Sequence, residues 1–457
     1  MNKNVVKPYL HFIGNNASNV TGSCTIVRFG NIKLCVDMGL IQTNNIVTDY
    51  KANREQLKKI KPKSIHGVII THCHADHLLG ILPAVNMGMK AYIYVPQGSL
   101  PIIKIMLEDC VKILIQDSTK LQNKHGIKAP PLATQQDIEK VLSWIIEIPF
   151  NQPTEIVGGA KLILYDAGHI INSAQCVLEL KESKYITKRI GFTGDFNIEA
   201  KSKSVRNIQP LPRCNIVVGE CTYSNPARNF SKKKDRWYDK EIIKTALSQY
   251  RRILCPVFAL QRVEDILETL KEIGTDIPIY LDSPLAQRIY SAWPEKLDYE
   301  QTLNFHIVSS WAESEELQKF NNRHHLILAS SGMLMAGRAV CYLKYILPYE
   351  DNCVLFCGYS SENTVANKIK QGDKELKIDN DLIKNKAQIY CLNTYSSHAN
   401  YTQLMDYYQA INFDKLCLVH SEYEDKVEFA HVLQDKLASQ GKSSRVIAVN
   451  MDTKVFI

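Results

Sequence analysis

No apolar run in this 457-residue chain reaches the roughly 20 residues that a membrane-spanning helix needs, so helical membrane proteins are excluded. The N-terminal stretch Met1-Asn2-Lys3-Asn4-Val5-Val6 lacks the apolar segment of a secretory signal, which points to the cytoplasm. The 13 cysteines include no CxxC pair, and an odd number cannot all be paired. Both facts speak against a disulfide framework and for a reducing compartment. Cys353 and Cys357 come nearest to a ligand pair, but they bracket an apolar strand and have no second pair, so no separate structural zinc is expected there. Internal repeats and low-complexity linkers are missing too, which excludes solenoids and tethered arrays. Charge bias is weak: a formal net charge of +8 permits an acidic partner such as nucleic acid without demanding one. The densest basic run, Lys232-Lys233-Lys234-Asp235-Arg236, reads as a solvated loop or helix face. What remains is an ordinary globular composition, 45% hydrophobic, long enough for two or three domains.

The informative stretch is His72-Cys73-His74-Ala75-Asp76-His77. It follows Gly67-Val68-Ile69-Ile70, an apolar β-branched run that predicts a buried strand. At strand spacing His72 and His74 face the same side, where one metal ion can take both imidazoles, and Cys73 faces away. Asp76 and His77 follow where Leu78-Leu79-Gly80-Ile81-Leu82 starts a helix. Four nitrogen and oxygen donors within six residues cannot all serve one tetrahedral ion, so the pattern favours two metals side by side. A polar strand end with scattered histidines would be the bland alternative.

Around this stretch strands and helices alternate. Residues 8–42 carry short strands with Gly/Asn turns, as in an antiparallel sheet. Residues 100–148 are largely helical: Ile102, Ile103, Met106, Val111 and Leu114 recur near helical spacing, and Gln136 to Ile146 repeats the pattern. Pro130-Pro131 separates the two helices. From about residue 240 the chain becomes a βα alternation. Ile253–Phe258, Ile277–Leu281, Leu326–Ala329 and Val354–Phe356 read as strands, and Val263, Ile266, Leu267 and Leu270 as one helical face. Such alternation predicts a parallel, doubly wound sheet.

The stretch at His72 resembles the HxHxDH signature of the metallo-β-lactamase superfamily. Three further segments resemble that family's other motifs in order. They are Asp37 in Leu34-Cys35-Val36-Asp37-Met38-Gly39, His169 ending Tyr165–Gly168, and Asp195 ending Gly191–Gly194. Alone, each would read as a polar turn residue at a strand end; their order around the HxHxDH run, Asp37 before it and His169 and Asp195 after it, gives them weight. Later segments are similar to the β-CASP branch, whose members process nucleic acids. Val218–Tyr223 resembles its acidic motif A through Glu220, and Pro256-Val257-Phe258-Ala259-Leu260-Gln261-Arg262 resembles a PVFALGR segment. Asp282-Ser283-Pro284-Leu285-Ala286 is similar to its DSPLA element, and Ser330-Ser331-Gly332-Met333-Leu334 with Gly337-Arg338 to its SGM…GR loop. Tyr395–Ala399 matches motif B through His398, and Leu418–Glu422 matches motif C through His420. The resemblance runs from about residue 8 to the end and is strongest to compact prokaryotic RNA-cleaving members, relatives of the mRNA 3′-end cleavage subunit. Three positions depart from the family pattern: Gln261, Ser421 and Asn172 stand where glycine is usual. The chain ends soon after motif C, with no added RNA-binding or dimerisation domain expected at either end.

The resemblance implies a metallo-β-lactamase αββα sandwich, residues 1–222 and 387–457, with a β-CASP α/β domain inserted at 223–386 and the active site in the cleft between them. It implies one metal on His72, His74, His169 and Asp195, and a second on Asp76, His77, Asp195 and His420. Asp37 would support the ligands from behind. A shared carboxylate would hold two ions roughly 3.5–4 Å apart, close enough to activate a common water and to take both oxygens of a scissile phosphate. Asp76, Glu220 and His398 form the implied catalytic set, with His398 as general acid to the leaving 3′-oxygen and Glu220 orienting it. Nitrogen and oxygen donors suit two Zn²⁺ per chain, with Mn²⁺ as the alternative. Arg262, Ser330, Ser331, Gly332, Arg338 and Ser397 are candidate substrate contacts, because guanidinium and backbone N–H groups suit phosphate. Arg262 and Arg338 equally fit ordinary salt-bridging residues at helix starts.

A histidine in motif C resembles RNA-processing rather than DNA-processing members. The expected partner is therefore single-stranded RNA, with no membrane and with a homodimer left open. A two-metal ribonuclease, endonucleolytic or 5′-exonucleolytic, is the leading activity. A DNA-acting nuclease, a small-molecule metallohydrolase and an inactive RNA-binding scaffold are the alternatives. The insert argues against the small-molecule enzyme, and the complete ligand set argues against the scaffold.

Overall fold

A computed structural model describes residues 7–457, apart from 44, 182–185, 200–201, 229–235, 294–298, 321–322, 359, 361–363 and 379–380. Of the basic run Lys232–Arg236, the first four residues therefore lie outside the described residues, and Arg236 opens the helix Arg236–Gln249. The chain divides into two compact units, Met1–Asn229 with Ser397–Ile457, and Phe230–Ser396.

The first unit is built on two seven-stranded sheets. One runs in the order Lys454–Phe456, Tyr9–Phe12, Thr25–Phe29, Ile32–Val36, Gly67–Ile69, Tyr92–Pro96 and Ile145–Ile148. The other runs Arg445–Ala448, Phe413–Val419, Cys214–Glu220, Thr187–Phe192, Ala174–Lys181, Lys161–Asp166 and Thr154–Glu155. Each sheet is antiparallel at one side and parallel at the other. The antiparallel entry over residues 8–42 agrees with the turn-rich sequence there.

Period-two alternation decides which side chains go between the sheets. Cys176 and Leu178, Ile216 and Val218, and Cys417 and Val419 pack inward against Leu10, Val27, Leu34 and Ile69 of the facing sheet. The intervening Val177, Val217, Leu416 and Leu418 pack outward against Leu404, Tyr408, Phe429 and Leu433 of the helices Tyr401–Ala410 and Tyr423–Ser439. Central strands are thus apolar on both faces, which is why they read as continuous hydrophobic runs. The long segment after Tyr92–Pro96 forms the helices Leu100–His125 and Gln135–Ser143. The second is shorter than the sequence predicts. It stops at Ser143 because Ile145–Ile148 pairs in parallel with Tyr92–Pro96, and sheet pairing overrides the helical periodicity.

The second unit holds a six-stranded sheet that is parallel throughout. In space its strands are ordered Phe305–Ile307, Ile279–Asp282, His325–Ala329, Arg252–Pro256, Asn352–Phe356 and Gln388–Cys391. One face packs on Val263, Ile266, Leu267 and Leu270, the helical face read from sequence, together with Ile243 and Leu247. The opposite face packs on Tyr342, Leu343, Ile346, Ala366 and Ile369. Helices on both faces make it doubly wound. Because Gln388–Cys391 is an edge strand of this sheet, the chain returns to the first unit at Ser397, later than the residue 387 read from sequence. All 13 cysteines are free thiols, 11 of them buried. No described helix is long and apolar enough to cross a membrane.

Leu178 is fully buried between the two sheets. Leu178→Ala is expected to cost about 2–5 kcal/mol, the range for a cavity left by a core leucine, read as a lowered denaturation midpoint in urea.

Candidate metal centre

Every candidate ligand of the first unit stands at or just past the C-terminal end of a strand. Asp37 follows Ile32–Val36, the 72–77 run follows Gly67–Ile69, and His169 follows Lys161–Asp166. Asp195 follows Thr187–Phe192, Glu220 ends Cys214–Glu220, and His420 follows Phe413–Val419. Pairing of Gly67–Ile69 with its neighbours stops at Ile69. His72 and His74 therefore lie in the loop beyond the strand rather than within it, yet their ring nitrogens are 3.1 Å apart. Sharp turns at the strand ends aim these side chains: Asp37 and His420 have φ of +57° and +62°. Gly39 allows the 39–41 segment to lie against the metal loop, since a Cβ there would stand 1.6 Å from the Asp76 carbonyl oxygen.

Three groups of four donors lie among the described residues, with the donor atoms of each within 4.8 Å of one another; one of them, Asp195, Glu220, His398 and His420, overlaps the other two, which hold every ligand expected from sequence. Of those two, the first is His72, His74, His169 and Asp195; the second is Asp76, His77, Asp195 and His420. Asp195 belongs to both. Its Oδ2 lies 3.6 Å from His72 Nε2, 3.8 Å from His169 Nε2 and 3.3 Å from His77 Nε2. His169 Nε2 is 3.0 Å from His74 Nδ1, and Asp76 Oδ2 is 3.6 Å from His77 Nε2 and 3.3 Å from His420 Nε2. All seven ligands named from sequence thus converge. Cys73, in their midst, is buried, and burial pushes its thiol up to about 12, so it stays protonated rather than ligating.

A set of supports fixes the imidazoles. Asp37 Oδ2 is 2.8 Å from His77 Nδ1 and also accepts from the Thr71 hydroxyl at 2.9 Å, while Oδ1 accepts the Thr71 N–H at 2.8 Å. Thr71 Oγ1 in turn lies 3.0 Å from His72 Nδ1. His169 Nδ1 donates to the Ser397 carbonyl at 2.6 Å. Contacts of this kind set the tautomer and leave the other ring nitrogen as the donor to a metal. Ser397, expected at the substrate, orients a histidine through its backbone. The sequence assigns no role to Thr71, which falls between the apolar strand and the HxHxDH run, or to Thr222, which sits inside the motif A segment; a hydroxyl next to candidate site residues was the available signal.

Beside the second group lies the Glu220–His398 pair, with His398 Nδ1 2.9 Å from Glu220 Oε1 and His398 Nε2 4.0 Å from Asp195 Oδ2. Glu220 is itself fixed by the Phe196 N–H at 2.9 Å and by the Thr222 N–H at 3.1 Å. Thr222 Oγ1 donates to Glu220 Oε2 and stands 2.8 Å from His420 Nδ1, so one hydroxyl links the Glu220–His398 pair to His420.

The remaining candidates lie in the second unit. Arg262 and Arg338 each open a helix and each pairs with a buried aspartate, Arg262 with Asp265 at 3.0 Å and Arg338 with Asp282. That is the salt-bridging alternative the sequence left open. Ser330 Oγ accepts from Ser283 Oγ at 2.8 Å, Ser331 Oγ donates to the Ala336 carbonyl at 3.0 Å, and Gly332 sits tight against Phe258. Of the three departures from glycine, Gln261 and Asn172 have left-handed φ of +72° and +52°, so glycine would relieve strain at both. Ser421 does not share this geometry; its hydroxyl pairs with Ser224 Oγ at 2.8 Å.

Burial holds His72, His169 and His74 neutral, the last near 4, and the neutral imidazole is the ligating form. Burial would also discharge His77, but Asp195, Asp37 and Asp76 around it reverse that, marking a spot that demands positive charge. Asp195 Oδ1 is buried without a hydrogen-bond partner among the described residues. Burial would lower the His398 pKa too; the Glu220 carboxylate, with Asp195 behind it, lifts it to about 9. In metal-free protein, imidazole NMR of His398 should titrate near 9, and Glu220→Gln should bring the midpoint down. A histidine raised in this way stabilises the fold fully below its unfolded pKa of about 6.5, so that contribution should fade as pH climbs from there through 9. A His398 midpoint unchanged in Glu220→Gln would contradict the assignment.

Three family descriptions match the chain in order: Metallo-beta-lactamase superfamily over residues 20–97, Beta-Casp domain over 261–369, and Zn-dependent metallo-hydrolase RNA specificity domain over 383–442. The chain is similar to the transcription termination factor FttA of Methanocaldococcus jannaschii, 26% identical across 96% of this chain and 70% of that protein. It is also similar to ribonuclease TTHA0252 of Thermus thermophilus, 26% identical across 91% of this chain and 94% of that one. RNase aCSPSF2 of Saccharolobus solfataricus is 26% identical across 86% of this chain and 77% of its own length. Among solved structures, a protein of unknown function from Enterococcus faecalis V583 covers 99% of this chain with a TM-score of 0.56 at 11% identity, which supports the fold alone. Ligand constellation, sheet architecture and the sequence of matching segments agree: the chain belongs to the metallo-β-lactamase superfamily, in its β-CASP branch.

Proposed function

We propose that the protein is a two-zinc ribonuclease that hydrolyses phosphodiester bonds of single-stranded RNA in the cytoplasm. The observation that carries this reading is the position of Asp195, one buried carboxylate common to both candidate ligand groups, with one oxygen that makes no hydrogen bond among the described residues. His72, His74, His169 and Asp195 would hold one ion, and Asp76, His77, Asp195 and His420 the other; manganese is the alternative to zinc. Bound there, the ions would supply a water made acidic enough to attack at neutral pH and would offset charge on the phosphate.

The chain's own residues account for the rest. Glu220 takes up His398 Nδ1, which leaves Nε2 facing Asp195 to carry the proton. As the phosphorus–O3′ bond breaks, that proton passes to the leaving oxygen, giving a 5′-phosphate and a 3′-hydroxyl product. RNA as substrate is supported by the ribonucleases among the relatives and by the RNA specificity domain that matches residues 383–442. Charge agrees: residues 230–396 hold equal numbers of cationic and anionic side chains, so the formal +8 resides wholly in the segments that carry the metal-centre residues. Arg262, Arg338 and the Ser330–Gly332 loop remain candidate phosphate contacts, which for the arginines would require exchange of their aspartate partners for phosphate.

Metal analysis of purified protein should give about two zinc ions per chain, and Asp195→Ala should lose activity together with at least one ion. Full activity in that variant, or in chelated protein, would overturn the two-metal reading. His398→Ala should keep both ions yet cleave RNA about 10²–10⁴-fold more slowly, the usual range for a missing general acid. An RNA with sulfur at the leaving 3′ position needs no proton donor. It should largely rescue His398→Ala and not His420→Ala, which loses a ligand; rescue of neither would remove the acid role from His398. Internal fragments against mononucleotides from 5′-labelled RNA would separate endonuclease from 5′-exonuclease.

A further inference from the structure

Lys426 is completely buried, three residues into the helix Tyr423–Ser439, and is among the largest side chains with no exposure. A lysine is a poor filler for such a place, because methionine or leucine would occupy similar volume without the cost of burying an amine. No carboxylate pairs with it among the described residues. Its Nζ donates to the Ala17 carbonyl at 2.5 Å and lies 5.7 Å from the Tyr423 ring. Burial brings its pKa down to about 8, and either protonation state still donates to a carbonyl.

Ala17 ends the short turn Asn15–Ala17, and the residue beside it touches the metal centre. The Asn16 carbonyl accepts the backbone N–H of His420 at 2.6 Å, and Asn16 Oδ1 accepts the N–H of Cys24 at 3.4 Å. Next to Cys24, Ser23 Oγ stands 3.2 Å from His77 Nε2. His420 keeps a left-handed φ of +62°, a conformation a histidine holds only when its surroundings impose it. One buried amine therefore pins a turn whose Asn16 carbonyl braces His420 of the second donor group.

We propose that Lys426 is a positioning residue for the second metal: by holding the Ala17 carbonyl it fixes the Asn15–Ala17 turn, and through Asn16 it fixes His420 in ligating position. The inference rests on His420 acting as a ligand, as proposed above. The test uses the whole 457-residue chain, titrated with zinc against a chromophoric chelator and examined again as the cobalt form. Lys426→Met should fold, keep the first ion at wild-type affinity, bind the second about 10–100-fold more weakly, and change the cobalt absorption of that site. Lys426→Gln, one atom too short to reach Ala17, should show the same selective loss if the methionine variant does not fold. Lys426→Arg keeps a donor and should stay within a few-fold of wild type. A folded methionine or glutamine variant that binds both ions as tightly as wild type, with an unchanged cobalt spectrum, would overturn the proposal and leave Lys426 as packing only. Wild-type protein that binds fewer than two ions would instead sink the two-metal reading itself.

Discussion

The constraint on which the first unit depends is the burial of Asp195. A carboxylate 3% exposed to solvent carries a desolvation cost that only nearby positive charge or several hydrogen bonds can offset. Here burial works against its ionised form, and the imidazoles of His420, His77 and His398 work for it, holding its pKa well below the carboxylate range. One oxygen nevertheless stays without a hydrogen bond. An arrangement of this cost is kept where the charge has a task, and a metal cation is the partner that suits the surrounding nitrogen and oxygen donors.

The fold meets that constraint with sheet ends. Parallel strands deliver their C-terminal ends to one edge, and each sheet contributes several adjacent ends there. Residues as distant in sequence as Asp37 and His420 can then belong to one centre. Two neighbouring strands of the second sheet, Cys214–Glu220 and Phe413–Val419, lie side by side in register, with Glu220 opposite Val419. Adjacent strand ends therefore bring Glu220 and His420 together, and Thr222 ties the two to each other. The apolar facing surfaces make this rigid: close-packed side chains between the sheets leave little freedom for a strand end to drift.

The second unit follows a different logic. Its parallel sheet needs helices on both faces, and each face has its own core. Three of the segments that resemble β-CASP motifs, at residues 256–262, 282–286 and 330–338, sit at its strand ends and helix starts, where Arg262 and Arg338 are held by Asp265 and Asp282. Pairing of this kind preorganises a guanidinium, and it also means that any anion must compete with an aspartate already in place.

By itself the sequence determined the chemistry. Four donors within six residues at His72–His77 announce a metal centre, because few other tasks call for that many nitrogen and oxygen donors so close together, and the βα alternation after residue 240 announces a parallel sheet, because its periodicities are local. The αββα architecture was legible through motif order, since Asp37, His169, Asp195 and His420 each end an apolar strand. Tertiary structure decided what depends on contacts between distant segments. It ended the helix at Ser143 by pairing Ile145–Ile148 with a neighbouring strand, and it moved the return to the first unit to Ser397 by adding Gln388–Cys391 to the other sheet. It also placed backbone groups where sequence assigned only side chains: the Ser397 carbonyl on His169 and the Asn16 carbonyl on His420. A carbonyl oxygen is common to every residue type, so its role leaves no trace in the sequence until folding brings a donor to it.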